Sequence, residues 1–341
     1  MKTNSKTLFF SMTYEYLEIY MPERLGRSVE TIRSYRDALT VFRKYLFEEK
    51  GISVSKFEMA ECTTECLDEF VSFLKKNGCK PGTCNQRLAA IKSYLWFAAD
   101  KNISLQSIAI SVSKAPSCKV TKKDLEIIPQ EALAALFKFP PNTKMGIRDR
   151  LIMIMLYDSA VRVNELLSIQ IKDVNLNTRN PYIFIHGKGN KERIVALSEK
   201  TVQHLKNYIT IFHPEKNNEA YLFYTVIKGI MGKMSSGNVE RLIQSYADKV
   251  RNTGVSIPEK VYPHMFRRTR ATTLYQNGVE LELISKILGH SMTETTKIYA
   301  KPSIEQMRSA MESVEIYTEK EELPMWDKAN EEEMAHLFGL R

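Results

Sequence analysis

Seven side chains between positions 162 and 299 are of types that hold negative charge or move a proton: Arg162, Glu165, Lys188, His264, Arg267, His290 and Tyr299. Taken singly, each has an ordinary explanation. Arg162 and Glu165, in VRVNELLS, are three apart and share a helix face, the spacing of a surface ion pair. Lys188 stands in GKGNKER, where lysine and glycine are common turn residues. His264 and Arg267 form H-x-x-R after Pro263, with Arg268 and Arg270 adding charge, while His290 follows Gly289 and Tyr299 lies nine residues on. Taken together they suit one reaction, the attack of an oxygen nucleophile on a phosphodiester. During that attack negative charge grows on the two non-bridging oxygens, which planar guanidinium groups bind bidentately. Arg162 and Arg267 fit that clamp and supply fixed positive charge where many nucleases use a metal. Tyr299 is the natural nucleophile, although a phenol of pKa about 10 needs nearby cations and a proton acceptor. A departing sugar oxygen must gain a proton, which a lysine on a mobile hairpin tip can donate. Because a phosphotyrosine ester retains the energy of the broken bond, a cut strand can join a new partner without ATP.

The charge distribution points to a polyanionic partner. The 341-residue chain has a net charge of +9, with 29 basic and 18 acidic side chains in 119–310 but 3 and 9 in 311–341. The positive field therefore lies where the seven residues lie, and nucleic acid fits it better than a membrane surface, since no strongly basic amphipathic helix stands out. A composition of 43% apolar and 26% charged residues, with 14 Gly and 12 Pro, excludes wholesale disorder. The most continuous apolar run, Leu151 to Tyr157, is far short of the roughly 20 residues that cross a bilayer, and MKTNSKTLFF has no signal-peptide pattern. A cytoplasmic protein, bacterial and nucleoid-associated when bound, is expected. Cys62, Cys66, Cys79, Cys84 and Cys118 are odd in number and read as reduced thiols. Their C-x3-C and C-x4-C spacings approach those of zinc ligands, but they fall at a helix start and a turn, so no metal is expected. No phosphate loop, dinucleotide fingerprint or magnesium-type carboxylate cluster is present, and no cofactor is expected.

The elements that must position these residues are mostly helical. Before residue 100 four capped amphipathic segments recur: Leu8 to Arg24, a helix after Ser28 closed by Gly51, Thr64 to Lys76, and Gly82 to Ala99 with the stripe Leu88, Ile91, Leu95 and Ala98. Arg33, Arg36, Arg43, Lys44, Arg87 and Lys92 stand off the stripes, on a face that suits either solvent or a phosphate backbone. Ser111 to Asp124 loses periodicity and reads as an exposed linker. One β region follows, with Tyr182 to Ile185 and Ile194 to Leu197 flanking a Gly-Lys-Gly-Asn turn. Helices are predicted at Glu199 to Tyr208, Met265 to Gln276 and Glu280 to Leu288. The fold class is thus mainly α with a small β-hairpin, an α+β chain. Its expected domains are a helical DNA-binding domain over 1–118, a catalytic domain over 119–311 and an acidic tail over 312–341.

In chain order the motifs read Arg162-x-x-Glu165, Gly187-Lys188-Gly189, His264-x-x-Arg267, Leu288-Gly289-His290 and Tyr299. That order resembles the tyrosine recombinase, or phage integrase, family across about Leu125 to Met311, and the N-terminal bundle resembles that family's SAM-like core-binding domain in a two-domain, Xer- or Cre-like layout. The resemblance implies a catalytic set of Arg162, Lys188, His264, Arg267, His290 and Tyr299. His264 accepts the phenol proton, Lys188 is the acid, Glu165 buttresses the basic residues, and His290 hydrogen-bonds the scissile phosphate. The tyrosine joins the 3′ phosphate and frees a 5′ hydroxyl. Arg268 and Arg270, with the six N-terminal basic residues, are expected to bind DNA. The implied partners are double-stranded DNA with paired inverted half-sites, three further copies in a synaptic homotetramer, and accessory DNA-bending proteins, with no membrane. The tail is expected to dock on a neighbouring copy. Ser159-Ala160 replaces the family's usual Thr-Gly, an alanine that could shift the backbone there, and Arg268 stands where a second His is common. A mobile-element or phage integrase is the expected subtype, with a Xer-like resolvase or an invertase as the alternatives. Two readings of other classes are a type IB topoisomerase and a catalytically inactive DNA-binding regulator on this fold.

Overall fold

The computed structural model describes residues 7–121, 126–187, 192–215, 217–289, 296, 300, 302, 306–308 and 331–340. The chain divides into two compact units, Met1–Asp124 and Leu125–Arg341.

The first unit is helical. Its main elements are α1 (Val29–Lys50), α2 (Thr64–Lys76), α3 (Pro81–Lys101) and α4 (Gln106–Ser113). Ser28 caps α1 by accepting from the Thr31 amide, and Gly51 ends it at φ 65°, a left-handed turn that favours glycine. Aromatic side chains dominate the core: Phe9, Tyr16, Phe42, Tyr45, Phe57, Phe70 and Tyr94 are all buried. The stripe Leu88, Ile91, Leu95 and Ala98 of α3 is buried with them. Two expectations change. The single helix read over Leu8 to Arg24 is divided into a short turn, Phe9–Met12, and a wide π-helix, Glu15–Arg24. Pro22 lies inside that segment, where its ring would press on the carbonyl four residues back in an α-helix. The stretch read as a linker is held down as far as Cys118. Helix α4 runs into it, the Lys92 ammonium donates to the carbonyls of Ser113 and Ala115, and Asn85 exchanges two hydrogen bonds with the Cys118 backbone at 2.7 and 2.9 Å.

The second unit is built around α6 (Lys144–Asp158), whose residues Leu151, Ile152, Met153, Met155 and Leu156 are all buried. The apolar run of the sequence is therefore a helix surrounded by other helices. Around it pack α5 (Gln130–Lys138), α7 (Val163–Ser168), α8 (Glu199–Phe212), α9 (Ser236–Arg251) and α10 (Pro263–Gln276). A three-stranded antiparallel sheet has the order β1 (Val174–Asn175), β2 (Tyr182–His186), β3 (Glu192–Ala196), with Tyr182 opposite Ala196 and Ile185 opposite Arg193. A second hairpin, β4 (Tyr224–Ile227) and β5 (Ile230–Lys233), was not anticipated. Its two-residue turn is Lys228-Gly229, both at positive φ, and lysine at the first position is a weak turn signal. After α10 comes α11 (Leu281–Leu288), ended by Gly289 at φ 65°. Ile284 and Leu288 pack with Ala160 and Ala271 in a small cluster apart from the main core. Of the acidic tail, α12 (Glu331–Leu337) is described, followed by exposed Phe338 and Leu340. No helix among the described residues is long and apolar enough to cross a membrane.

Candidate active site

Arg162 precedes α7 as its N-cap, with extended backbone, instead of sharing a helical face with Glu165. Glu165, at the third helical position, reaches back. It accepts from the Arg162 amide at 3.0 Å and from Arg162 Nη1 at 2.8 Å, so one carboxylate both caps the helix and holds the guanidinium. The Arg162 side chain remains 47% exposed while that of Glu165 is 8% exposed, which leaves the arginine free to meet a substrate. A second arginine, Arg193 of β3, grips the same carboxylate with Nη2 at 2.7 Å and Nη1 at 3.3 Å. Burial alone would raise the Glu165 pKa, but the hydrogen bonds and charge of Arg193, with those of Arg162, hold it at about 2.

Arg267 is the deepest charged group among the described residues, 1% exposed. From α10 its Nη1 donates to the Ala160 carbonyl at 2.6 Å and its Nη2 to the Leu288 carbonyl at 2.7 Å. One guanidinium thereby joins the Arg162 motif to the Leu288-Gly289-His290 motif. Ala160 has φ 51°, the left-handed conformation glycine adopts at least cost. The alanine therefore keeps the turn that a glycine would make, and its buried methyl packs with Ile284 and Leu288. His264, second residue of α10, has its pKa pushed down by the protein around its ring, then by the charges of Arg267, Arg268 and Arg162. It is neutral near pH 7 and able to accept a proton.

Lys188, His290 and Tyr299 lie outside the described residues. Described residues flank them: β2 ends at His186 before Lys188, β3 begins at Glu192 after it, Gly289 immediately precedes His290, and Ala300 follows Tyr299. His186, the last residue of β2, bridges Glu192 at 3.0 Å and Asp173 at 3.3 Å.

The remaining basic residues are placed variously. Arg270 pairs with Asp158 at 3.2 Å and lies over the Tyr157 ring, so it is engaged within the fold, and Arg268 donates to the Glu126 carbonyl. In the first unit Arg33, Arg36, Arg43 and Lys44 are exposed on α1. Arg36 pairs with Glu18 at 2.6 Å and Lys44 with Glu48 at 3.6 Å. Arg33 and Arg87 line a hollow of about 270 Å³ between α1 and α3, with Glu30, Ser34, Asp37 and Gln86. Lys92 serves instead to cap α4, its ammonium spent on backbone carbonyls. Among the described residues no group of three or more His, Cys, Asp or Glu is disposed to hold a metal ion.

Arg193 is the site residue that sequence reasoning missed. A signal was present: period two along β3 puts Arg193 on the face of buried Val195, while Ile194 points outward, so an arginine occupies an inward strand position. An inward charge requires a partner, and Glu165 is that partner.

The profile of the phage integrase family matches residues 126–306, and that of the phage integrase N-terminal SAM-like domain matches residues 14–102. The chain is 30% identical over 296 residues to the tyrosine recombinase XerD of Staphylococcus saprophyticus, covering 86% of this chain and 95% of that one. It is 28% identical to the tyrosine recombinase XerA of Pyrococcus horikoshii, covering 92% and 95%. Among solved structures, a Tn1549 transposon integrase in complex with a circular intermediate DNA superposes with a TM-score of 0.65 at 16% identity, covering 91% of this chain and 100% of that one. The XerH site-specific recombinase bound to its difH substrate superposes with a TM-score of 0.63 at 24% identity, covering 86% and 83%.

Proposed function

The chain belongs to the phage integrase family of tyrosine recombinases, enzymes that cleave and rejoin DNA at specific sites, and from that premise we propose how its own residues do so. Arg162 and Arg267 bind the non-bridging oxygens of the scissile phosphate as charge accumulates on them. The Tyr299 oxygen attacks phosphorus, His264 takes the phenol proton, and the 5′ oxygen leaves with a proton from Lys188. The product is a 3′-phosphotyrosyl ester. A 5′ hydroxyl from a partner strand reverses the step and restores Tyr299. Glu165 orients Arg162 throughout, and His290 hydrogen-bonds the phosphate. The observation that carries this reading is Arg267 of the third motif, bonded at once to Ala160 beside the first and to Leu288 of the fourth, which brings motifs over a hundred residues apart into one cluster.

Residues 1–118 serve as the core-binding domain, with Arg33, Arg36, Arg43, Lys44 and Arg87 toward DNA; 119–311 form the catalytic domain. The tail, 312–341, docks on a neighbouring copy within a homotetramer that pairs two duplexes with inverted half-sites, assisted by DNA-bending proteins. For the outcome of exchange, Arg268 in place of the second His favours a mobile-element integrase. The near full-length coverage of a XerD favours a second reading, a Xer-like resolvase. Whether a plasmid dimer with two sites is resolved, or a circle is inserted into a second molecule, separates them.

The mechanism is tested with a nicked suicide substrate built on DNA flanking the gene. Wild type is expected to form a covalent protein–DNA adduct on a denaturing gel without added metal, and Tyr299→Phe none while binding the same DNA. An adduct with Tyr299→Phe would place the nucleophile elsewhere.

A further inference from the structure

We propose that Arg193 is a positioning residue of the recombination site, acting on the phosphate-binding half through Glu165 and through the turn at Gly289. The proposal rests on the roles given above to Arg162, Lys188 and His290. Arg193 has one guanidinium and three distinct jobs for it. Its fork closes on the Glu165 carboxylate at 2.7 and 3.3 Å, and its Nε donates to the Ile287 carbonyl at 3.2 Å. The same side chain crowds Gly289, where a Cβ would meet Nη1 at 2.8 Å and Cζ at 2.9 Å. With φ at 65° as well, position 289 admits glycine for two independent reasons.

The end of α11 shows why these contacts matter. The last carbonyls of a helix have no partner within it, and they carry the negative end of the helix dipole. Here two arginines from different elements take them. Arg193 of β3 holds the Ile287 carbonyl and Arg267 of α10 holds that of Leu288. The chain therefore leaves α11 toward His290 from a point fixed by two cations. Strand β3 is anchored in the main core through Val195, whereas α11 packs in the separate small cluster of Ala160, Ala271, Ile284 and Leu288. Arg193 links the two. It also supplies the first of the interactions that keep Glu165 ionised against its burial. Without Arg193 the carboxylate would lean on Arg162 alone and draw that guanidinium from the substrate.

The test is single-turnover cleavage of the suicide substrate by Arg193→Gln and Arg193→Lys in the full chain, beside binding by gel shift. Displacing reacting groups by about 1 Å costs roughly a hundredfold, so Arg193→Gln is expected to cleave about a hundredfold more slowly with binding changed less than threefold. Lysine keeps the charge but cannot fork onto Glu165 and reach Ile287 together, so Arg193→Lys is expected to fold as wild type and still lose at least about tenfold. If Arg193 acts through Glu165, the double variant Arg193→Gln/Glu165→Gln loses scarcely more than the worse single one. Full cleavage by Arg193→Lys, or additive losses in the double variant, would overturn the proposal. A substrate with sulfur in place of the leaving 5′ oxygen needs no acid. It should restore Lys188→Ala but not Arg193→Gln. Restoration of both would assign Arg193 to the hairpin alone and overturn the proposal. Failure to restore Lys188→Ala would reject the acid reading, leaving Arg193 to be judged by the double variant.

Discussion

At the scale of single residues the site is an exercise in unequal solvation. Glu165 is buried and ionised, Arg267 is buried and bonded to carbonyls, and Arg162 is held by one side while its outer half meets solvent. His264 depends on the same cations for its proton affinity. Because partial burial and the charges of Arg267, Arg268 and Arg162 lower its pKa, the neutral base persists below the ordinary histidine value of about 6.5. Cleavage is expected to fall only as pH drops through that lowered value. Arg268→Gln removes one of the charges, so the acid limb of the single-turnover rate should move to higher pH. An unmoved limb would exclude His264 as the proton acceptor. Glu165 does not set this limb: held at about 2, its contribution to stability is present above the usual carboxylate range and is lost only as pH falls toward 2. These motif residues were legible in the sequence because their types are rare in that order. Arg193 was not, because its role depends on which residues face it across the fold.

At the scale of elements, two features decide whether the motif residues meet. Helix α6, apolar all round from Leu151 to Tyr157, packs against five others, so its placement sets the turn Ser159-Ala160 and the start of α7. Its first turn is tight. Thr143 caps it by accepting from the Gly146 amide at 3.2 Å, and a methyl on Gly146 would overlap the Pro141 carbonyl oxygen. Gly146→Ala is expected to destabilise the second unit by about 1–3 kcal/mol, seen as a lower Tm in thermal unfolding, since backbone must move to admit the methyl. An unchanged Tm would show that Pro141 yields freely. Helix boundaries came close to expectation where a capping residue announces them, as at Ser28 and Gly51. The second hairpin escaped because Lys228 takes a positive φ that the sequence gives no reason to assign to a lysine.

At the scale of the whole molecule, the net charge of +9 is the property that favours a polyanionic partner. The hollow between α1 and α3 sets Arg33 and Arg87 among Glu30, Ser34, Asp37 and Gln86, so its arginines are balanced by two carboxylates, and whether Arg33 reaches a phosphate is open to direct measurement. Each phosphate contact contributes about 0.9 to the slope of log affinity against log salt, so Arg33→Ala should flatten that slope by about one unit. An unchanged slope would take Arg33 off the DNA. The sequence by itself determined the family, its chemistry, and those helices that a cap or a stop residue announces. Residue type, local spacing and caps are properties of short stretches, and a short stretch carries them whole. Only the tertiary structure decided which carbonyls Arg267 would hold, that Ala160 keeps a glycine's turn, that Lys92 caps a helix, and that Arg193 completes the Glu165 cluster. Each of these joins residues far apart in the chain, and such contacts are settled by how buried polar groups find partners once the cores have closed.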